Sequence, residues 1–126
     1  YSPPISVDSR TTRAARGADD RLYPHGSALA PADANFYDTH GKDGSNLGPD
    51  EVGAHPRSVS PFGVDDMAGN AFEWVRSALA PNEWSIRGGC FFFDAVSARS
   101  SNRNVVEQSY RDPRFGLRVC APISFQ

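Results

Sequence analysis

The residue types best placed to do chemistry lie in the segment Phe62–Trp74, Phe-Gly-Val-Asp-Asp-Met-Ala-Gly-Asn-Ala-Phe-Glu-Trp. Asp66, Gly69, Ala71 and Glu73 fall within one short, glycine-bent stretch of it. Two carboxylates and two backbone carbonyls at that spacing suit a hard cation, since calcium takes about six to eight oxygen ligands in flexible geometry. The same carboxylates also suit turn capping or pairing with arginine, the ordinary fate of loop acids. Phe72 and Trp74 alternate with Glu73. That alternation anchors the rings on one side in a core and turns Glu73 to the other.

Softer ligands and nucleophiles are scarce. The two cysteines, Cys90 and Cys120, are thirty residues apart and outside any C-x-x-C pair. One disulfide and two buried thiols both fit such a spacing. The three histidines, His25, His40 and His55, show no H-x-x-x-H clustering and read as exposed loop side chains. Arg99, Arg103, Arg111 and Arg114 crowd one stretch, and their forks suit bidentate capture of carboxylate or phosphate. The competing reading is internal, with the arginines paired to Asp94, Glu107 and Asp112. Phe91-Phe92-Phe93, read as part of a strand, places at least one ring on each face, one for the core and one for a contact.

The elements that must position these groups are short. A chain of 126 residues fits one domain and can bury roughly two thirds of its unfolded surface. Ten Pro, eleven Gly and a mean hydropathy of -0.49 predict short strands, long loops and little helix. Ser9–Arg16 is the helical stretch, with Asp8 or Ser9 as N-cap and Gly17 as stop. Pro3-Pro4 makes Tyr1 to Val7 extended, and Ala18 to Pro61 is loop-dominated. A loop of that length needs a cross-link, and bound metal is one candidate. Ser85 to Phe93 reads as a strand with Gly88-Gly89 marking a bulge or a close backbone approach, and Phe115 to Cys120 as a closing strand. The net charge of -2 supplies no basic field for nucleic acid, and no apolar run approaches a membrane span. Tyr1-Ser-Pro-Pro does not read as a secretory leader and lacks an initiator Met, so the chain is expected to be a piece of a longer protein.

The order of motifs carries a resemblance. Ala14-Ala-Arg-Gly17, Tyr23-Pro-His-Gly26, Ala34-Asn-Phe36, Met67-Ala-Gly-Asn-Ala-Phe-Glu-Trp74, Arg87-Gly-Gly89 and Gly116-Leu-Arg-Val119 follow one another along the chain. This order resembles the formylglycine-generating enzyme, or sulfatase-modifying factor, family from about Ala14 to Val119. The resemblance implies an α+β fold of the C-type-lectin-like kind with little regular secondary structure. It also implies that residues 1–126 are the C-terminal portion of one such domain, completed by an N-terminal half or a partner chain.

The resemblance further implies two structural calcium sites. One takes the Asp66 side chain, the Gly69 and Ala71 carbonyls and Glu73. The other takes the Asn35 side chain, the Phe36 carbonyl, Asp43 and the Ser45 carbonyl. Active members hold Cu(I) through two cysteines, because soft thiolates are what Cu(I) requires. Aligned on Arg87-Gly-Gly89, those positions are Phe93 and Ala98, so formylglycine generation and bound copper are not expected, and no catalytic residue is assigned. The stretch bearing Arg103, Arg111, Arg114 and Phe92 corresponds to the family's ligand-facing surface. The expectation is a calcium-stabilised module recognising a protein, peptide or small ligand within a larger assembly, as in bacterial proteins where such domains join kinases. The alternative is an oxidoreductase of the wider family whose reactive groups come from the N-terminal half. Neither nucleic acid nor membrane is an expected partner.

Overall fold

The computed structural model describes residues 8–77, 80 and 82–119, with side chains inside the first helix from residue 12 onward. The expected extended segment Tyr1 to Val7 and the residue Cys120 lie outside the described residues.

Helix α1 spans Asp8–Arg16, one residue longer at its start than the sequence pattern indicated. Gly17 stops it as expected: at φ 72° it takes the left-handed conformation, and its N–H donates to the Arg13 carbonyl at 2.8 Å. Arg13 and Arg16 stand in the last turn, where cations suit the negative end of the helix dipole.

Among the described residues, four strands form one open sheet in the order β3-β2-β1-β4. They are β1 (Phe72–Arg76), β2 (Trp84–Arg87), β3 (Asn104–Val105) and β4 (Phe115–Gly116). β1 pairs antiparallel with β2, setting Trp74 opposite Ile86, and parallel with β4, setting Phe72 opposite Phe115. Phe72, Ile86 and Cys90 are buried together, with Trp74, Val106 and Phe115 packed against them. Edge-on ring contacts join Phe72 to Phe115 (6.1 Å) and Trp74 to Phe115 (5.4 Å). Such pairs contribute about 0.5–1.5 kcal/mol each beyond area burial. The Phe-Glu-Trp alternation therefore works as the sequence indicated, with Glu73 on the opposite face from the rings.

Two expected strands are shorter than the pattern suggested. β2 ends at Arg87, because Gly88 (φ 92°) and Gly89 (φ 75°) leave the extended region. Cys90 to Phe93 forms a turn closed by Phe93 N–H to the Cys90 carbonyl at 3.3 Å, so the three phenylalanines do not alternate across a sheet. The close-approach reading of the glycine pair is the correct one. A β-carbon on Gly89 would lie 2.7 Å from the Ala98 Cα. β4 ends at Gly116.

A second cluster of Tyr23, Ala34, Phe36, Ala68 and Ala98 sits under the long loop region. Residues 18–61 hold turns, one isolated bridge between Tyr23 and Gly26, and two short 3-10 segments, Gly44–Asn46 and Pro56–Ser58. Asn70, at φ 67° just ahead of β1, ties this region to the sheet. Its Oδ1 accepts from Asp50 N–H (2.8 Å) and from Asn35 Nδ2 (3.1 Å), and its Nδ2 donates to the Asp50 carbonyl (3.2 Å). Its own carbonyl accepts from Phe91 N–H at 3.1 Å.

Candidate functional site

A groove of about 660 Å³ opens beside β1 and β4. Asp66, Gly69, Ala71 and Glu73 all line it, so the structure brings together the first four sequence-selected residues. Gly116 to Val119 and Val52 line it as well. Backbone strain shapes the acidic rim: Asp66 is left-handed at φ 55°, and its Oδ2 accepts from Gly53 N–H at 2.7 Å.

Arg118 closes the groove. Its Nε lies 3.0 and 2.9 Å from the two Glu73 oxygens, and its Nη2 lies 2.7 Å from Oε1. Nη2 also donates to the Asp65 and Asp66 carbonyls at 3.0 and 3.1 Å. The fork therefore holds a β1 carboxylate and the acidic turn in one geometry, as bidentate pairing does well. The arginine-pairing reading of Glu73 is realised here.

The second sequence-selected set is more spread in environment. Asn35 and Phe36 are buried, whereas Asp43 and Ser45 are exposed. Asp43 caps its own turn, accepting from Ser45 N–H at 3.0 Å and from Ser45 Oγ at 2.8 Å, and those bonds hold its carboxyl below the usual range. Asn35 Nδ2 donates to the Gly48 carbonyl at 2.8 Å, but its Oδ1 is buried with no partner. A buried orphan oxygen acceptor is what a hard cation would satisfy. The orphan oxygen of the second set thus suits a hard cation, whereas in the first set both Glu73 oxygens are held by Arg118. Among the described residues, no group of three or more His, Cys, Asp or Glu is arranged to hold a metal ion.

The arginine and aromatic stretch forms a separate shelf. The Arg114 guanidinium lies 5.3 Å from the ring centres of both Phe92 and Phe93 and pairs with Asp112, its Nε donating to Oδ1 at 2.7 Å. That pairing pulls the Asp112 carboxyl down to about 2 and raises Arg114. Arg103 pairs with Glu83, and Arg111 donates to the Gln108 and Tyr110 carbonyls. Phe92, Phe93 and Tyr110 remain 41–50% exposed beside them. Burial pushes the Cys90 thiol up, against the backbone N–H groups of Phe92 and Phe93, so this cysteine behaves as a buried apolar side chain.

The Asp112–Arg114 pair gives a pH-dependent expectation. A carboxyl depressed in the fold contributes stability that is present above its unfolded value near 4 and lost as pH falls through the folded value. The wild type should exceed Asp112→Asn in stability by a constant margin above pH 4. The margin should shrink as pH falls toward 2, measured by urea denaturation of both proteins across pH 2 to 6.

Of the three histidines, His40 is exposed as the sequence indicated, while His25 and His55 are not. His40 Nε2 lies 3.0 Å from Asp50 Oδ1, and His55 Nε2 lies 2.7 Å from Asp50 Oδ2. His25 Nε2 lies 3.3 Å from Asp33 Oδ2. The His25 and His55 side chains are largely covered rather than exposed. Asp50 therefore cross-links the long loop through two imidazoles, a task the sequence reading offered to metal. No local spacing signals it, because the contacts join residues 40, 50 and 55 only after the loop has folded.

The α+β architecture with its sparse sheet, and Phe93 and Ala98 in place of a thiol pair, set the class of domain. A sequence profile of the sulfatase-modifying factor enzyme 1-like domain matches residues 8–123, and the chain belongs to this family. Three solved structures share the fold. Variable protein 1 of Treponema denticola superposes with a TM-score of 0.74 at 17% identity, covering 90% of this chain and 45% of that one. PvdO from Pseudomonas aeruginosa gives 0.72 at 23% identity, covering 90% and 50%. CarF gives 0.71 at 19%, covering 96% and 47%. The chain thus spans about half the length of these structures. No curated protein matched by sequence.

Proposed function

We propose that this chain acts as a non-catalytic recognition module of the sulfatase-modifying factor family, stabilised by calcium. The observation that carries the reading is the state of the two positions where active members place copper thiolates. Phe93 packs its ring against Phe72 and Phe92, at 5.8 and 5.6 Å between centres. Ala98 is fully buried with Gly89 pressed onto its backbone. Neither position offers a soft ligand, and packing rather than solvent surrounds Ala98. The Phe92–Phe93–Arg114–Tyr110 shelf is the recognition surface, since exposed rings with a pinned guanidinium suit a protein or peptide ligand. Asn35, Phe36, Asp43 and Ser45 hold one calcium ion. Asp66, Gly69, Ala71 and Glu73 hold the other. Each ion offsets the entropy of loops that carry little hydrogen-bonded structure. The exposed Val52, Leu117 and Val119 at the groove mouth receive further protein, supplied in the relatives by a chain about twice as long.

Metal analysis and peptide selection test this reading on the purified protein. Expected are retained calcium, copper and iron far below one per chain, and no aldehyde from a cysteine peptide supplied with Cu(I) and oxygen. Peptides selected from a display library should lose at least tenfold in affinity on Phe92→Ser, with thermal stability unchanged. Stoichiometric copper or iron, or peptide oxidation, overturns it.

A further inference from the structure

A second, much smaller cavity also touches Glu73, where α1 meets the sheet. It is lined by Ala15, Met67, Glu73, Arg87, Gly88 and Ser100 and measures about 10 Å³. That space is about one water-sized sphere, and a lodged water also needs two to four polar partners. Three of the six lining residues carry polar side chains. Ser100 is 6% exposed, and its Oγ is buried without a hydrogen-bond partner. Arg87 is 8% exposed and is anchored by donating from Nη1 to the Ser100 and Asn102 carbonyls, at 3.1 and 3.2 Å.

Charge decides what the cavity takes. A guanidinium in the wall opposes a cation, and a carboxylate in the wall opposes an anion. A single neutral atom that both donates and accepts satisfies both walls and the orphan hydroxyl. We propose that this cavity is a binding site for one integral water molecule that bridges Ser100 Oγ, Arg87 and the Glu73 carboxylate. The site gives Glu73 a second anchor. Arg118 holds the carboxylate from the groove side, and the water holds it from this cavity. It also explains how α1 docks through Ala15 over polar ground: the water supplies the partner that the buried Ser100 Oγ lacks. The inference depends on neither calcium nor a recognition partner.

A crystal structure of the wild-type protein near atomic resolution tests it, together with water–protein cross-relaxation of the Ala15 methyl in solution. Expected is one density peak within hydrogen-bonding distance of Ser100 Oγ. The Ala15 methyl should show a cross-peak to a water resident for longer than nanoseconds. Ser100→Ala, checked for folding by its amide spectrum, should weaken that cross-peak at least several-fold. A cavity free of density with no methyl cross-peak, or a peak identified as an ion by anomalous scattering, overturns the proposal. So does a folded Ser100→Ala whose cross-peak matches wild type. If Ser100→Ala does not fold, the two wild-type measurements decide alone.

Discussion

Gly69→Ala is expected to remove roughly 3–5 kcal/mol of folding stability, from strain at positive φ and overpacking acting together. Two independent penalties coincide at this residue. Its φ of 75° is one that a β-carbon resists. That β-carbon would also stand 2.4 Å from the Asn35 carbonyl oxygen and 3.0 Å from its carbon. The obstacle is backbone, already fixed because the Asn35 carbonyl accepts from Asn70 N–H at 2.7 Å. Gly69 N–H in turn donates to the Gly88 carbonyl at 2.6 Å, so neither partner can withdraw without losing a hydrogen bond. Gly53→Ala supplies the control. Gly53 has a φ of 82°, but a β-carbon there meets nothing within 4 Å. It should cost only about 1 kcal/mol, the conformational part alone. Urea denaturation of both variants measures the gap, and the Gly69 variant should melt roughly 10–20 °C lower than wild type. Equal, small losses in the two would show that the Asn35–Gly69 approach relaxes freely.

This pair also shows which features the sequence exposed. Gly17, Gly69 and Gly88-Gly89 are conspicuous in a sequence, and the helix stop and the close approach near Arg87 were both legible from them. Phe72, Glu73 and Trp74 were legible because a period of two needs only neighbours. The strand beyond Gly88 was misread because apolar content alone suggested extension. The two left-handed glycines turn Cys90 to Phe93 into a loop that puts Phe92 and Phe93 on a common shelf with Arg114. The partners of charged groups were the least legible. Arg118 to Glu73 spans forty-five residues, and Arg103 to Glu83 spans twenty. Composition offers several equivalent acids for each arginine, and only the folded register selects one, β1 against β4 for Arg118 and β2 against β3 for Arg103. Asp112 and Arg114 are almost adjacent in the chain, so their pairing needs no long-range register. For the histidines, a loop position suggested exposure, which holds for His40, whereas aspartate pairing draws His25 and His55 inward.

Asn70→Ala is expected to cost about 3 kcal/mol, the sum of a lost left-handed preference and orphaned hydrogen-bonding groups. Asn70 tolerates φ 67° better than most residues, and its short amide reaches three groups on two other segments. Removing it strands Asp50 N–H and the Asp50 carbonyl, and takes one acceptor from Asn35 Nδ2, which keeps Gly48. Asp50 is the residue on which His40 and His55 converge, so the damage should spread through the loop from residue 40 to 55. Asn70→Gly separates the two causes. Glycine accepts the positive φ without strain, so its loss, about 2 kcal/mol, reports the side-chain hydrogen bonds alone. Hydrogen exchange gives the sharper readout. In Asn70→Gly the Asp50 amide should exchange at least tenfold faster, while the Phe91 amide, bonded to the backbone carbonyl of residue 70, should keep its protection. A glycine variant with wild-type stability and an unchanged Asp50 amide would mean that the loop is held by its imidazole–aspartate contacts without this side chain. Equal loss of protection at Asp50 and Phe91 would instead mean that residue 70 acts through the strand rather than through its amide.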